Sequence, residues 1–432
     1  MLKIKKRPMW PIALVAGALI TPFVWAQSAP LALTDPAASS QPTTRFWTLK
    51  TVFEQAWALQ PEASSIDLRR DAASAARLAA TSWTPEPSAL TLQSTTGGPG
   101  ANSGGREFEA GIAVSLWLPG ERARKQALGE AEQRAVESHR LAAQLRLAAS
   151  VRDAWWSYQR AQGELGLAQD RLVNAQKLAA DVARRYKAGD LSKADQHQAD
   201  GAVAQAQAAA AEALGMRDAT SAVLSAWLGG DGAAVTFVDV GAEPLVDAQP
   251  IAANPLEHPT VVDWLDQAEV ARRVAALVAV QKRSNPELTL ATTRGRGQRG
   301  DAYQQTVTVG VRIPLGSGSR SQAKEATAQA DALDAEVRAT VERSRLMADI
   351  HAATVRLKGS ESQFGAMTRH AELARETLAF YEKAFRLGEA DLPTRLRVEL
   401  EAVQAERQLA RTRIDAAAAV SSLRQALGLL PQ

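Results

Sequence analysis

The same series of short motifs occurs twice along the 432-residue chain, at an almost constant spacing. LQPEASSIDLRRDAASAARLAA starts at Leu59 and LEHPTVVDWLDQAEVARRVAAL starts at Leu256; their prolines, Pro61 and Pro259, lie 198 positions apart. Leu90 in ALTLQSTT and Leu288 in ELTLATTR are also 198 apart, and Pro119 and Pro314 are 195 apart. Gly189 in RYKAGDLSKAD and Gly388 in AFRLGEADLPT are 199 apart, as are Gly229 and Gly428. Five anchors in one order indicate a tandem duplication. Its period is far longer than the 20–45 residues of a solenoid repeat, so each copy is a substantial unit.

Each copy reads helix, strand, glycine-rich loop, strand, long helix, short turn, helix. The spacing predicts opening helices over 49–82 and 259–284. Strands are expected at 88–96, 107–118, 287–294 and 303–313. Long helices are expected over 120–187 and 317–387, with returning helices over 191–228 and 392–427. Neither long helix contains a proline. At 1.5 Å per residue each would reach about 100 Å. An isolated helix of that length is marginal, so a long bundle is required. The Gly/Pro-rich stretch 231–257 interrupts the return path and reads as an equatorial linker.

The expected strands alternate. Phe108, Ala110, Ile112, Val114, Leu116 and Leu118 share one face of the second strand, opposite Glu107, Glu109, Gly111, Ala113, Ser115 and Trp117. Tyr303, Gln305, Val307, Val309, Val311 and Ile313 share one face of the fourth. Such a pattern suits an ordinary sheet with one face on a core, and it equally suits outer-membrane strands of about ten residues. Four strands cannot close a barrel. In lipid, several copies would have to contribute: two copies give eight strands, three give twelve.

Lys3, Lys5, Lys6 and Arg7 precede an apolar run from Trp10 to Trp25, with Val24 and Ala26 at the small positions of an export cleavage site. The expected division is a signal peptide (1–26), an N-terminal linker (27–44), a first repeat (45–230), the equatorial linker (231–257) and a second repeat (258–432). An uncleaved anchor helix is the alternative for the first segment. The 50 Lys+Arg and 47 Asp+Glu become 46 and 47 once those four basic residues are removed, which takes away the electrostatic case for nucleic-acid binding. With no Cys, disulfides and thiol chemistry are excluded. His139, His197, His258, His351 and His370 are scattered without ligand spacing, so no metal site is expected; His197 and Asp200 near the first turn read as solvated.

Gly295, Gly297 and Gly300 spell the spacing of a dinucleotide-binding turn. That motif needs a helix after it, and here a strand follows. The equivalent loop in the first copy, with Gly97, Gly98, Gly100, Gly104 and Gly105, is also glycine-rich but lacks the spacing. Both read as hairpin tips outside a barrel, where Arg294, Arg296 and Arg299 would face solvent or anionic lipid headgroups. No nucleophile–base constellation supports an enzyme, and neither catalytic residues nor a cofactor are expected.

The opening-helix pattern Pro61, Leu68, Ala72 and Ala76, the strand–Pro–helix junctions at Pro119 and Pro314, RYKAGDLSKAD (185–195), AFRLGEADLP (384–393) and the ending SSLRQALGLLP (421–431) together resemble the TolC-like outer-membrane efflux proteins. The resemblance covers nearly the whole mature chain. It implies a mainly α fold with a membrane β part: a homotrimer whose 12-stranded β-barrel sits in the outer membrane of a Gram-negative bacterium, joined to a periplasmic α-helical barrel. It also implies a periplasmic adaptor and an inner-membrane pump as partners. The second half looks most like the heavy-metal-efflux branch, which works with resistance-nodulation-division pumps; organic compounds are the rival cargo. Unlike some relatives, the chain has no N-terminal Cys for acylation. A structural coiled-coil surface protein would account for the helices but not for the duplicated strands and turns.

By the same resemblance the turns around Gly189 and Gly388 form the periplasmic tip, where adaptor docking or gating would involve Tyr186, Gly189, Asp190, Leu191, Asp195, Phe385, Gly388, Glu389 and Asp391. Asp195 matches an acidic gating position. Ala390 stands where a gating Arg can occur, so an Asp–Arg latch is not expected. The bland alternatives are helix-hairpin caps and solvated carboxylates. Trp83 and Trp117, near strand ends, suit either an interfacial aromatic belt or plain packing.

Overall fold

A computed structural model describes residues 46–96, 104–230, 236–238, 241–246, 254–316 and 318–432. The expected signal peptide and N-terminal linker, part of the equatorial linker, and Gly97, Gly98 and Gly100 lie outside the described residues. A short strand, β1 (Phe46–Trp47), is followed by helices α1 (Leu49–Ala58) and α2 (Pro61–Thr81), strands β2 (Ala89–Thr96) and β3 (Arg106–Ser115), and helices α3 (Glu121–Ala188) and α4 (Lys193–Ala226). Then come β4 (Thr236–Phe237), α5 (Pro259–Val278), β5 (Glu287–Arg296), β6 (Gln304–Arg312), α6 (Gly318–Leu387) and α7 (Leu392–Ala426). The long helices α3 and α6 have 68 and 70 residues.

The opening helix of the first copy is two helices, not one. Pro61 has no N–H to donate back along a helix and pushes Gln60 into extended backbone, at ψ 142°. The break frees α1 to dock on the middle of α3. There Leu49, Val52, Phe53 and Ala56 bury against Leu147, Val151, Trp155 and Leu224. In the second copy, α5 ends at Val278, six residues before the expected end. Strand β3 likewise stops at Ser115, short of Leu118, where Leu116 N donates to Pro286 O at 2.7 Å.

Along its N-terminal half α3 packs between α2 and α5; along its C-terminal half it packs between α4 and α7, while α6 packs on α5 and α7. At the start of α5 the buried His258 is the N-cap, its Nδ1 accepting from Thr260 N at 3.2 Å. Burial pushes this imidazole's pKa down, which keeps the acceptor nitrogen unprotonated. His258 is thus a structural residue.

The sheet has the order β2-β3-β5-β6 and is antiparallel throughout, so its middle pair joins the two copies. The pair β1–β4 is parallel and ties the start of the described chain to the equatorial connector. Nothing in the sequence pattern anticipated it, because two-residue strands carry no periodicity.

The connector is fixed more firmly by one residue. Glu243, in the 241–246 stretch, accepts from Arg152 Nε at 3.1 Å and Arg152 Nη2 at 2.9 Å. It also accepts from Arg424 Nε at 3.2 Å. All three side chains are only 3% exposed. Arg424 donates further to Pro244 O at 3.0 Å, and Arg152 to Gln425 Oε1 at 2.6 Å and Leu429 O at 3.1 Å. A carboxylate held by two guanidiniums in this way fastens the connector to both α3 and α7.

Candidate functional site

Two regions of the molecule are open to function: the four-stranded sheet and the far end of the helices. In the sheet, cross-strand register fixes the faces. Leu92 pairs with Ala110, Leu90 with Ile112, Ile112 with Leu290, Leu290 with Val309 and Leu288 with Val311. One face is therefore an apolar band of Leu90, Leu92, Phe108, Ile112, Leu288, Leu290, Val307, Val309 and Val311. These side chains lie open: Leu92 is 73% and Val309 70% exposed. The opposite face carries Thr91, Gln93, Glu107, Glu109, Thr293, Glu287, Thr306 and Arg312 by the same pairing. Among the described residues no other element covers the apolar face, and neither outer strand, β2 or β6, has a second partner strand. Nearby, Trp83 is 95% exposed, whereas Trp117 donates from Nε1 to Ser82 O at 3.3 Å and carries the Lys125 ammonium over its ring.

Of the loop glycines, Gly104 and Gly105 lie against the 296–299 segment, which packs the two hairpin ends together. Gly295 lies within β5, and Gly297 and Gly300 lie in the turn to β6. The strand after that turn leaves no helix N-terminus for a pyrophosphate, as the sequence order requires.

At the other end, α3 and α6 stop on glycines in the left-handed region, Gly189 at φ 88° and Gly388 at φ 78°. Asp190 N returns to Arg185 O and Glu389 N to Ala384 O, both at about 3 Å, which satisfies the last carbonyls of each helix. The two tips differ in packing. Phe385 is 4% exposed in a cluster with Leu178, Val182, Ala199 and Leu392, against which Leu191 and Ala390 pack. Tyr186, its counterpart, is 37% exposed.

Two of the four carboxylates expected at the tip, Asp195 and Asp391, are engaged in helix caps. Asp195 accepts from Ser192 N at 2.9 Å and Ser192 Oγ at 2.7 Å, while Ser192 Oγ accepts from Asp195 N at 3.2 Å. This is a capping box at the start of α4. Asp391 is the N-cap of α7 and accepts from Thr394 N at 3.2 Å. Hydrogen bonding to Thr394 holds its pKa below the usual carboxylate value. Asp190 and Glu389 are exposed.

Sequence reasoning passed over two arginines here: Arg185, which joins the two tips, and Arg395, which braces the second. Arg185 places its guanidinium over the Phe385 ring at 4.8 Å and donates to Phe385 O and Arg386 O, both at 3.3 Å. Arg395 lies 5.4 Å from the same ring and bonds Glu382 at 3.4 Å. Arg185 belongs to the RYKAGDLSKAD motif; the signal was present, but its partner lies 200 residues away. Among the described residues no group of three or more His, Asp or Glu side chains is placed to hold a metal ion. His197 is exposed. The only His–carboxylate approach among the described ion pairs is His139 Nδ1 to Asp263 Oδ1 at 3.4 Å.

The outer membrane efflux protein family model matches residues 52–230. No curated protein matches the sequence. Among solved structures, the fold is similar to that of CusC, with a TM-score of 0.73 and 18% identity over 88% of this chain and 92% of that one. It is similar to the outer membrane protein VceC of Vibrio cholerae, with a TM-score of 0.72 and 15% identity over 88% of this chain and 96% of that one. The CmeC outer membrane channel of Campylobacter jejuni gives a TM-score of 0.71 and 13% identity over 88% and 85%. At these identities the likeness is one of fold.

Proposed function

We propose, from the match of residues 52–230 to the outer membrane efflux protein family model, that this chain forms the outer-membrane exit duct of a tripartite efflux system in a Gram-negative bacterium. The observation that carries the proposal is the sheet: an exposed apolar face, a polar face behind it, and two unpaired edges, at the end of helices about 100 Å long. Lipid covers such an apolar face, and closure with other copies removes the edges. Because the four strands alternate in direction, β6 of one copy meets β2 of the next antiparallel. Three copies give a 12-stranded barrel with a lumen. No helix of the described residues is long and apolar enough to cross a membrane, so the β part makes the crossing in this proposal. Trp83 then stands at the periplasmic membrane boundary.

In this arrangement the polar face lines the lumen, and it carries Glu107, Glu109 and Glu287 against Arg312, which pairs with Glu287 at 3.7 Å. The surplus of carboxylates favours cations, and supports metal cations as cargo, delivered by a resistance-nodulation-division pump through a periplasmic adaptor. Trimers in planar bilayers are expected to prefer potassium over chloride, and Glu107→Gln with Glu109→Gln to lower that preference. Unchanged selectivity in the double variant would remove the support for cationic cargo. A deletion strain tested against zinc, cobalt, cadmium, copper and organic drugs reads the cargo directly; sensitivity to drugs alone assigns organic compounds. Heat-modifiable trimer bands in outer-membrane fractions test the duct itself, and a monomer in the periplasmic fraction refutes it.

The helical tips are the proposed adaptor-docking and gating end, with Tyr186 the exposed aromatic there and Asp195 the gating candidate. Its capping role allows a clean separation. Gln at the third helical position keeps a capping box while removing the charge. Asp195→Ala removes the carboxylate half of the capping box and is expected to cost about 0.5–1.5 kcal/mol of local stability, visible as faster amide exchange over 191–199. If the charge gates, Asp195→Gln raises conductance as Asp195→Ala does; wild-type conductance in Asp195→Gln trimers would leave Asp195 a cap only.

A further inference from the structure

At the end of the sheet distant from the helices, the apolar face changes character. Arg106 stands directly opposite Arg296 in the β3–β5 register, and Arg294 lies two residues along β5, opposite Phe108. All three share the face of Leu92, Leu290 and Val307. Arg294 and Arg296 each hold a guanidinium 5.2 Å from the ring of Tyr303, so both cations are gathered on one aromatic. Arg296 Nε is buried with no hydrogen-bond partner.

Like charges directly opposite each other destabilise an antiparallel pair. Here no acid among the described residues relieves them. None of Arg106, Arg294, Arg296 or Arg299 makes an ion pair among the described residues, and the intervening segment 97–103, GGPGANS, contains no acidic residue. Glu107 and Glu109 lie on the opposite face by register, and Asp301 is engaged with Gln298 N at 2.9 Å. The ends of β2 and β6, which would meet between copies, carry Thr95, Thr96, Gln304 and Gln305, none of them acidic. Three guanidiniums with forked donors, set immediately above an apolar band, match phosphate oxygens carried on an acylated headgroup.

We propose that Arg106, Arg294 and Arg296, with Tyr303, form a binding site for the phosphate groups of an outer-leaflet glycolipid. The site rests on the outer-membrane reading of the sheet. The anion neutralises the Arg106–Arg296 opposition, and the acyl chains lie along Leu92, Phe108, Leu290 and Val307. Tyr303 keeps Arg294 and Arg296 from folding away into solvent.

The test uses full-length protein purified in a neutral detergent, with diphosphoryl lipid A as probe and native mass spectrometry as readout. Wild-type protein is expected to bind it, and Arg106→Gln/Arg294→Gln/Arg296→Gln to bind at least tenfold more weakly. Arg312→Gln, on the opposite face, is expected to bind as wild type does. Chemically dephosphorylated lipid A is expected to bind neither protein. Equal binding by wild type and the triple variant, or equal binding of the phosphorylated and dephosphorylated lipids, would overturn the site. Inorganic phosphate displacing lipid A at comparable concentration would assign a soluble anion and overturn the lipid assignment. The triple variant is checked for trimer bands and conductance, so loss of binding is not loss of fold. Wild-type protein absent from the outer membrane refutes the duct reading; an outer-membrane trimer without lipid A binding refutes this site alone.

Discussion

Replacing Glu243 by Ala is expected to cost about 3–5 kcal/mol of stability, among the largest single losses available in this chain. The substitution strands Arg152 and Arg424, two guanidiniums 3% exposed, without their shared carboxylate. Removing Arg152 instead leaves Glu243 paired with Arg424, so Arg152→Ala should cost less. Chemical denaturation of the purified protein reads both, with the exposed Glu54→Ala as control. A Glu243→Ala midpoint equal to that of the control would show that the connector is not held this way.

Acid should act on the same point. Burial raises the Glu243 pKa, but hydrogen bonds from Arg152 and Ser421 and the charges of Arg152 and Arg424 outweigh it, so the net shift is downward. A carboxyl whose folded pKa is depressed contributes stability that is complete above its unfolded pKa, ~4.3 for Glu, and is lost as pH falls through the folded value. Wild-type protein should therefore lose stability on acidification below that point more steeply than Glu243→Gln does. Identical slopes would contradict the linkage.

Val309→Arg is the second large effect. Val309 lies mid-strand on the exposed apolar face, opposite Leu290, and Thr308 beside it faces the other way. A cation at the midplane of a membrane strand costs about 2–4 kcal/mol on the lipid face, and the proposed trimer would incur it three times. Val309→Arg is expected to abolish heat-modifiable trimers in the outer membrane, while Thr308→Arg assembles and alters ion selectivity. If both assemble equally, or if Thr308→Arg is the more damaging, the apolar face is not the lipid face.

Much of this was legible in one dimension. The period-two alternation at 107–118 and 303–313 identified the strands, and proline-free runs of about 70 residues identified the long helices. Gly189 and Gly388 marked the turns because a helix that reverses needs a residue at positive φ, and both have it. Pro61 was visible too, yet the helical pattern continued across it and hid the break between α1 and α2. The tips were located from sequence, but their packing was not: Tyr186 and Phe385 occupy equivalent positions and only Phe385 is buried.

The sequence by itself determined the duplication, the element order and which residues alternate, because periodicity and turn chemistry are local properties. Tertiary structure decided the rest. Glu243 meets partners 91 and 181 positions away, Arg185 caps the other copy's helix, and Arg106 opposes Arg296 only once β3 is set against β5 in one register. The open apolar face and unpaired edges that the sheet shows among the described residues are likewise invisible in a string of residues, since exposure depends on what packs against a surface. That exposed surface makes a membrane duct the function proposed for this chain.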